Sequence, residues 1–381
     1  RYLLFCDTSP EIKADLAMRL EVFYDVYADV VGDLYKPGEP DKAKVFYIPD
    51  HAAFVAAGGP EHAPGVFIVP PDPNDTVGPR LVIQRGTGFI YMELSQLQQH
   101  EAWHQFNQLH LKPYSPIWFD EGMATYLSYS IWTGDNVVHG SINHAYRGKL
   151  LQAIPHFMPL SQLLSLDDGG WFSYQATIDQ NCAAQGIEPI GFWTPYMESW
   201  SLIQFLKHAN DGQYASLLDD YLADIVADRD ASASIAAIVA LQDEWYTWTQ
   251  ILANQPMATG DKFQEAIVAT FAGHVARAQI NGQTITSIDD LLALAESGEL
   301  KLGEQDSATW LPPSVFNESQ RYLGFLKQGC SEYGHSAPVL TVETVNGTPA
   351  VRLRIDSLNV NLLATTTIAD GAITSVTVSR Q

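Results

Sequence analysis

Apolar positions along the first ninety residues switch between two periods. Tyr2 to Cys6, Val45 to Ile48, Gly65 to Val69 and Leu81 to Gln84 are short apolar runs bounded by turn residues, which predicts strands. Leu16, Leu20, Phe23, Tyr27 and Val31 recur at three- and four-residue intervals and predict one helix between Ser9 and about Leu34. Phe54 to Ala57 opens another short helix. The stretch Pro70-Pro71-Asp72-Pro73-Asn74-Asp75 is a turn-forming loop between the last two strands. Strands alternating with helices imply a mixed α/β layer.

From Glu93 to Leu252 the pattern is mostly helical, with breaks at Lys112-Pro113, Gly134-Asp135, Asp168-Gly169-Gly170 and Pro195. Helical spacing returns from Lys262 to Ala278 and around Asp289 to Ala295. Beyond Ala337 the character changes. Val339 to Thr344, Ala350 to Ile355, Val360 to Thr367 and Ile373 to Ser379 are rich in β-branched residues, with the hairpin dipeptides Asn346-Gly347 and Asp370-Gly371 among them. The expected organisation is an α+β chain: an N-terminal α/β region over 1–95, a helical region over 96–255, and an accessory region over 256–381 that is β-rich from about 337.

Composition narrows the function classes. At 381 residues and 46% hydrophobic the chain can bury a sizeable core, and no apolar run is long enough to span a membrane. Acidic residues outnumber basic ones 44 to 21, a formal charge of -23 that nucleic-acid backbones would repel, so nucleic acid is excluded as a main partner. Three cysteines, Cys6, Cys182 and Cys330, are too few for a disulfide scaffold; one bridge between Cys182 and Cys330 and three unpaired thiols are both open. A chain starting at Arg1 rather than Met, and poor in lysine, points to a trimmed, secreted or periplasmic protein.

The chemistry is concentrated in His100-Glu101-Ala-Trp-His104. Four residues apart on a helix, two imidazoles lie one above the other and can share a metal ion, while Glu101 sits one step round the helix. A zinc ion held there lowers the pKa of water, and a neighbouring carboxylate takes the proton as that water attacks a carbonyl. A third protein ligand completes such a site. Two residues compete for it. His110 follows His104 by six residues, the metzincin spacing, but Asn107 stands where that pattern needs glycine at a sharp helix break. Glu121 lies in Trp118-Phe-Asp-Glu-Gly-Met-Ala-Thr-Tyr126, on a second helix that the loop 112–116 allows to return beside the first.

These motifs resemble those of the peptidase-MA-like gluzincins, zinc metallopeptidases whose second helix carries its glutamate in a Trp-x-x-Glu-Gly-x-Ala-x-Tyr context. The resemblance covers about residues 60–210 and is sharp over 100–104, 116–128 and 195–206. It implies a zincin-like fold: a mixed N-terminal sheet, an active-site helix and a helical C-terminal subdomain, here with a small β-rich appendage. It implies His100, His104 and Glu121 as zinc ligands and Glu101 as general base. Pro195-Tyr-Met-Glu-Ser-Trp-Ser-Leu-Ile203 resembles the helix whose tyrosine steadies the oxyanion in aminopeptidase-type members, which places that role on Tyr196. It also implies a strand edge that pairs with extended substrate, for which Leu81 to Arg85 is the expected segment. Gly88 to Glu93 resembles the aminopeptidase Gly-x-Met-Glu-Asn segment, but Leu94 replaces the asparagine, so Glu93 is read as an ordinary acid and no aminopeptidase specificity follows.

The expected activity is therefore zinc-dependent hydrolysis of a peptide or protein substrate. The alternatives are a non-catalytic binding protein on the same fold and a metzincin-like peptidase using His110. Neither oligomeric state nor cleavage preference is legible. The other histidines form no second ligand-spaced set, although His139 and His144 lie where they can reach a cleft.

Overall fold

The structure, a computed structural model, describes residues 1–34, 42–61, 63–70, 72, 75–84, 94–111, 115–141, 144–254, 261–304 and 310–381. His62, Arg85, Gly88–Glu93, the break at Lys112-Pro113, residues 71, 73 and 74 of the 70–75 turn and the side chain of His144 lie outside the described residues. The chain is mixed α+β and divides into two compact units, residues 1–129 with 143–254, and residues 130–142 with 255–381.

The first unit opens with strands β1 (Tyr2–Cys6), β2 (Ala43–Ile48), β3 (Gly65–Ile68) and β4 (Arg80–Gln84). They form one sheet in the order β1-β2-β4-β3, with β1, β2 and β4 parallel and β3 antiparallel to β4. Leu81, Val82 and Ile83 are buried on both faces, as an interior strand requires. This overturns one expectation. Leu81–Gln84 is flanked by β2 and β3 and cannot be the substrate-pairing edge; among the described residues the sheet's edges are β1 and β3. The two strands were visible as a pair in the sequence, but which of them takes β2 as its other partner is a long-range choice. Helices α1 (Pro10–Val31) and α2 (His51–Ala56) are capped by Ser9 and Asp50, whose side chains accept from Ile12 N and Ala53 N. As the spacing predicts, α1 buries Leu16, Leu20, Phe23, Tyr27 and Val31.

The rest of this unit is helical: α3 (Leu94–His110), α4 (Ile117–Ser128), α5 (His144–Ala153), α6 (Leu160–Leu163), α7 (Asp168–Gln185), α8 (Thr194–His208), α9 (Ala215–Val226), α10 (Ser232–Val239) and α11 (Gln242–Asn254). The break expected at Asp168-Gly169-Gly170 is a helix start, where Asp167 caps α7 by accepting from Gly170 N at 2.7 Å. Trp103, Trp118, Trp171, Trp200 and Trp245 are fully buried and form the bulk of the helical core. Buried polar side chains fix the orientation of α3 within it. Gln98 donates to Leu16 O at 3.0 Å, Gln105 to Lys44 O at 3.2 Å, and Tyr27 Oη to Gln99 O at 2.7 Å.

The second unit holds a short hairpin, β5 (Ile131–Trp132) and β6 (Val137–Val138), and helices α12 (Asp261–Ile280), α13 (Ile288–Glu296) and α14 (Pro313–Glu332). Strands β7 (Val339–Val345), β8 (Thr348–Ile355), β9 (Val360–Ala369) and β10 (Ala372–Arg380) follow as an antiparallel meander. Asn346, Gly347, Asp370 and Gly371 all adopt positive φ, the mirror-image turn that the two hairpin dipeptides imply. Helix α12 packs on the sheet with Ala266, Ala269, Ala272 and Ala276 buried along it, small side chains that let helix and sheet approach closely. Two features were not expected. Helix α14 buries Val315, Phe316, Leu323, Leu326 and Cys330, but its buried Glu318 and Ser319 dilute the pattern. The hairpin around Gly134-Asp135 joins this unit because Arg277 grips Asp135 through two hydrogen bonds of 2.6 and 2.9 Å. Gly273 makes room for that pair: a Cβ there would lie 2.5 Å from Asp135 Oδ2. All three cysteines are thiols, with Cys182 and Cys330 buried. Among the described residues no helix is long and apolar enough to cross a membrane.

His274 on α12 is fully buried beside Phe316 and Phe271, and neither ring nitrogen finds a hydrogen-bond partner. Burial, with a smaller contribution from the Arg277 charge, pushes its pKa down to about 3. The unfolded chain therefore binds a proton that the folded one refuses between about pH 6.5 and 3. The associated stability is intact above that window and is lost as pH falls through it, by about 1.4 kcal/mol per pH unit. Urea unfolding of the wild type and His274→Leu between pH 7 and 4 checks this: the variant is expected to lose the steep acid limb, and parallel curves would refute the assignment.

Candidate metal centre

Helices α3 and α4 bring three donors together. His100 and His104 sit one turn apart on α3, with ring centroids 4.8 Å apart and an edge-to-face angle of 80°. Glu121 enters from the first turns of α4. His100 Nε2 and His104 Nε2 are 3.2 Å apart, and each lies 3.4 Å from Glu121 Oε2. Nitrogen and oxygen ligands about 2.05 Å from a tetrahedral zinc ion are separated by about 3.3 to 3.4 Å. The three separations therefore match the edges of a zinc coordination tetrahedron. As direct contacts they are poor, because charge-assisted N–H···O bonds close to about 2.7 to 2.9 Å. Glu121 Oε2 is buried without a hydrogen-bond partner, an orphaned lone pair that a cation would satisfy. Among the described residues this is the group able to hold a metal ion.

The histidine tautomer is set from behind. His104 Nδ1 lies 3.0 Å from Asp120 Oδ1, which also accepts from Asn107 Nδ2 at 2.6 Å. A proton held on Nδ1 by Asp120 leaves the Nε2 lone pair facing the centre. Asp120 was not singled out in the sequence; its only signal is adjacency to Glu121 in the Phe-Asp-Glu-Gly run. Electrostatics follow from burial and mutual charge. Burial disfavours ionised Glu121, but His104 and His100 outweigh it and hold the carboxyl far below the usual range. Burial likewise opposes charge on His104, and Asp120 and Glu121 reverse the effect and raise it. Burial raises the Glu101 carboxyl, against the opposing pull of the two imidazoles.

Close approaches position these groups. A Cβ on Gly65 would lie 2.9 Å from Glu101 Cγ, so edge strand β3 runs against the face of α3 that carries Glu101. A Cβ on Gly122 would lie 3.0 Å from the carbonyl oxygen of Ser199 and 3.1 Å from Ile203 Cγ1, so a larger residue after Glu121 would push α4 and α8 apart by a few tenths of an ångström. Tyr196, in the first turn of α8, is half-buried with its ring centroid 6.5 Å from that of His100. His110 is elsewhere: its Nε2 bonds Tyr24 Oη at 2.9 Å and its ring packs on Phe106. His139 bonds Ser130 Oγ at 2.8 Å within the second unit. Models of protein families and the curated proteins, when searched, return no match to this chain.

A second cluster, which no motif in the sequence marks, lies beside Tyr196. Glu198, fully buried on α8, lies 2.8 Å from Tyr174 Oη on α7, which also bonds His156 O at 2.7 Å. One hydroxyl carries one proton and cannot donate to both oxygens. The carbonyl can only accept, so Glu198 supplies the other proton and is a neutral acid, in keeping with the strong upward push that burial gives its pKa. This pair ties α7 to α8, and Trp171 of α7 meets the Tyr196 ring edge-on at 5.3 Å.

Two outcomes are expected. Were zinc held by these three donors, Asp120→Ala should lower its affinity about 10- to 100-fold, measured by chelator competition; unchanged affinity would remove Asp120 from the site. Glu198→Gln, whose amide can still donate, should unfold near the wild-type temperature, whereas Glu198→Ala should lose about 2 to 4 kcal/mol. Equal losses in both would show that Glu198 is ionised.

Proposed function

We propose that this protein is a zinc-dependent metallopeptidase of gluzincin type, with a zincin-like first unit. The observation that carries the reading is the match between the three donor separations and a zinc coordination tetrahedron, together with the intact Glu101 one residue along from the first ligand. Bound zinc would supply a lowered water pKa and polarisation of the scissile carbonyl. The remaining work falls to this chain's own side chains. His100, His104 and Glu121 hold the ion. Glu101, with its proton affinity raised by burial, takes the proton from the attacking water and passes it to the leaving amine. Tyr196, a phenol neutral at pH 7, donates a hydrogen bond to negative charge developing on the carbonyl oxygen. Strand β3 offers an edge of main-chain donors and acceptors against the Glu101 face, where an extended peptide would add as a further strand.

The rival reading, a binding protein that keeps the fold without the chemistry, is weakened by the presence of Glu101, which metal binding alone does not need. Zinc content and cleavage of a denatured protein separate the two. The wild type and Glu101→Gln are expected to bind zinc equally, with cleavage falling at least 100-fold in the variant. Glu121→Ala should lose both zinc and cleavage. Zinc bound at this site with no cleavage of varied peptides by the wild type would favour the binding protein.

A further inference from the structure

Phe192 is half-exposed, at 50%, yet its backbone is held on both sides. Gly191 N donates to Asp179 Oδ1 at 2.6 Å, and Gln175 Nε2 donates to Phe192 O at 3.3 Å. Gly191 also lies so close to α7 that a Cβ would stand 2.1 Å from Gln175 O, so no other residue fits there without displacing the loop. Here the fold uses a glycine and two side-chain hydrogen bonds to keep a phenylalanine ring at the surface in one place.

The ring is not isolated. Its centroid lies 5.6 Å from that of Tyr196, itself 6.5 Å from the His100 ring, so an aromatic row leads outward from the metal centre. Trp193, the next residue, packs edge-on to Phe192 at 5.0 Å and carries Lys149 Nζ 4.9 Å above its own ring. Two centroid steps span at most about 12 Å. Extended peptide rises about 3.3 Å per residue, so this wall is within reach of a substrate residue one to three positions from the bond being cleaved.

We propose that Phe192 is a specificity-determining wall that selects peptides with a large apolar side chain near the scissile bond, a reading that rests on the hydrolase proposed above. Covering the ring with such a side chain removes apolar surface from water on both partners, while a charged or small side chain leaves it wet. Because the loop is already fixed, little ordering entropy opposes the contact.

The test uses the full zinc-loaded chain and a peptide library that places Leu, Phe, Ser or Asp at each position around the cleaved bond. The wild type is expected to prefer Leu or Phe over Ser at one position by about tenfold or more in kcat/KM, and Phe192→Ala to bring that ratio close to one. A flat wild-type profile, or a ratio unchanged in Phe192→Ala, overturns the wall. A second arm measures equilibrium binding of the same peptides to Glu101→Gln by calorimetry, with and without Phe192→Ala. If the wild type cleaves nothing, the hydrolase reading fails and this arm alone decides the wall. Tighter binding of Leu and Phe peptides that depends on Phe192 sustains it; absent binding, or binding indifferent to residue 192, overturns it.

Discussion

The close approach of α3 and α4 is the constraint on which the site depends. Two imidazoles from one helix and a carboxylate from the next are brought together, each Nε2 standing 3.4 Å from Glu121 Oε2, an arrangement that a bound cation would relieve. Without one, two nitrogen atoms 3.2 Å apart and a carboxylate oxygen with no hydrogen-bond partner stand buried together. The surrounding packing holds the arrangement. Trp103 and Phe106 bury one side of α3 against Tyr27, and Gln98 and Gln105 lock its rotation through main-chain carbonyls of α1 and β2. Glycine at 122 lets α4 come against α8 on its other side.

Buried polar groups here divide into two kinds. Two that lack a charged partner are neutral: His274 is held unprotonated in an apolar pocket, and Glu198 keeps its proton to complete a hydrogen bond that Tyr174 cannot supply alone. Those at the metal group are poised for charge. Asp120 orients His104, and the imidazoles hold Glu121 ionised against the pull of burial. The contrast follows from the presence or absence of a charged partner, since an isolated buried ion is too costly to keep.

The motifs were legible because helical spacing is short-range. His100 and His104 meet through the period of one helix, and Glu121 needs only one turn-back of the chain. The hairpins at Asn346-Gly347 and Asp370-Gly371 were legible for the same reason, since each dipeptide sets its own positive φ. The edge strand was misassigned. Leu81 to Ile83 are buried throughout, which marks an interior strand, but Val66 to Val69 is just as apolar and nothing local separates the two runs. Helix α14 stayed hidden because polar residues inside a core break the apolar period.

By itself the amino-acid order settled which residues can share a face of one helix or close one turn: the imidazole pair with Glu101 beside it, the stripe of α1, and the two hairpin turns. Tertiary structure alone decided that β3 and not β4 lies outermost, that Asp120 backs His104, that His110 turns to Tyr24, that residues 130–142 leave the first unit to pair Asp135 with Arg277, and that Phe192 is held in the open. Each depends on groups far apart along the chain, where the deciding term is which surfaces lose water together and which buried charges find a partner.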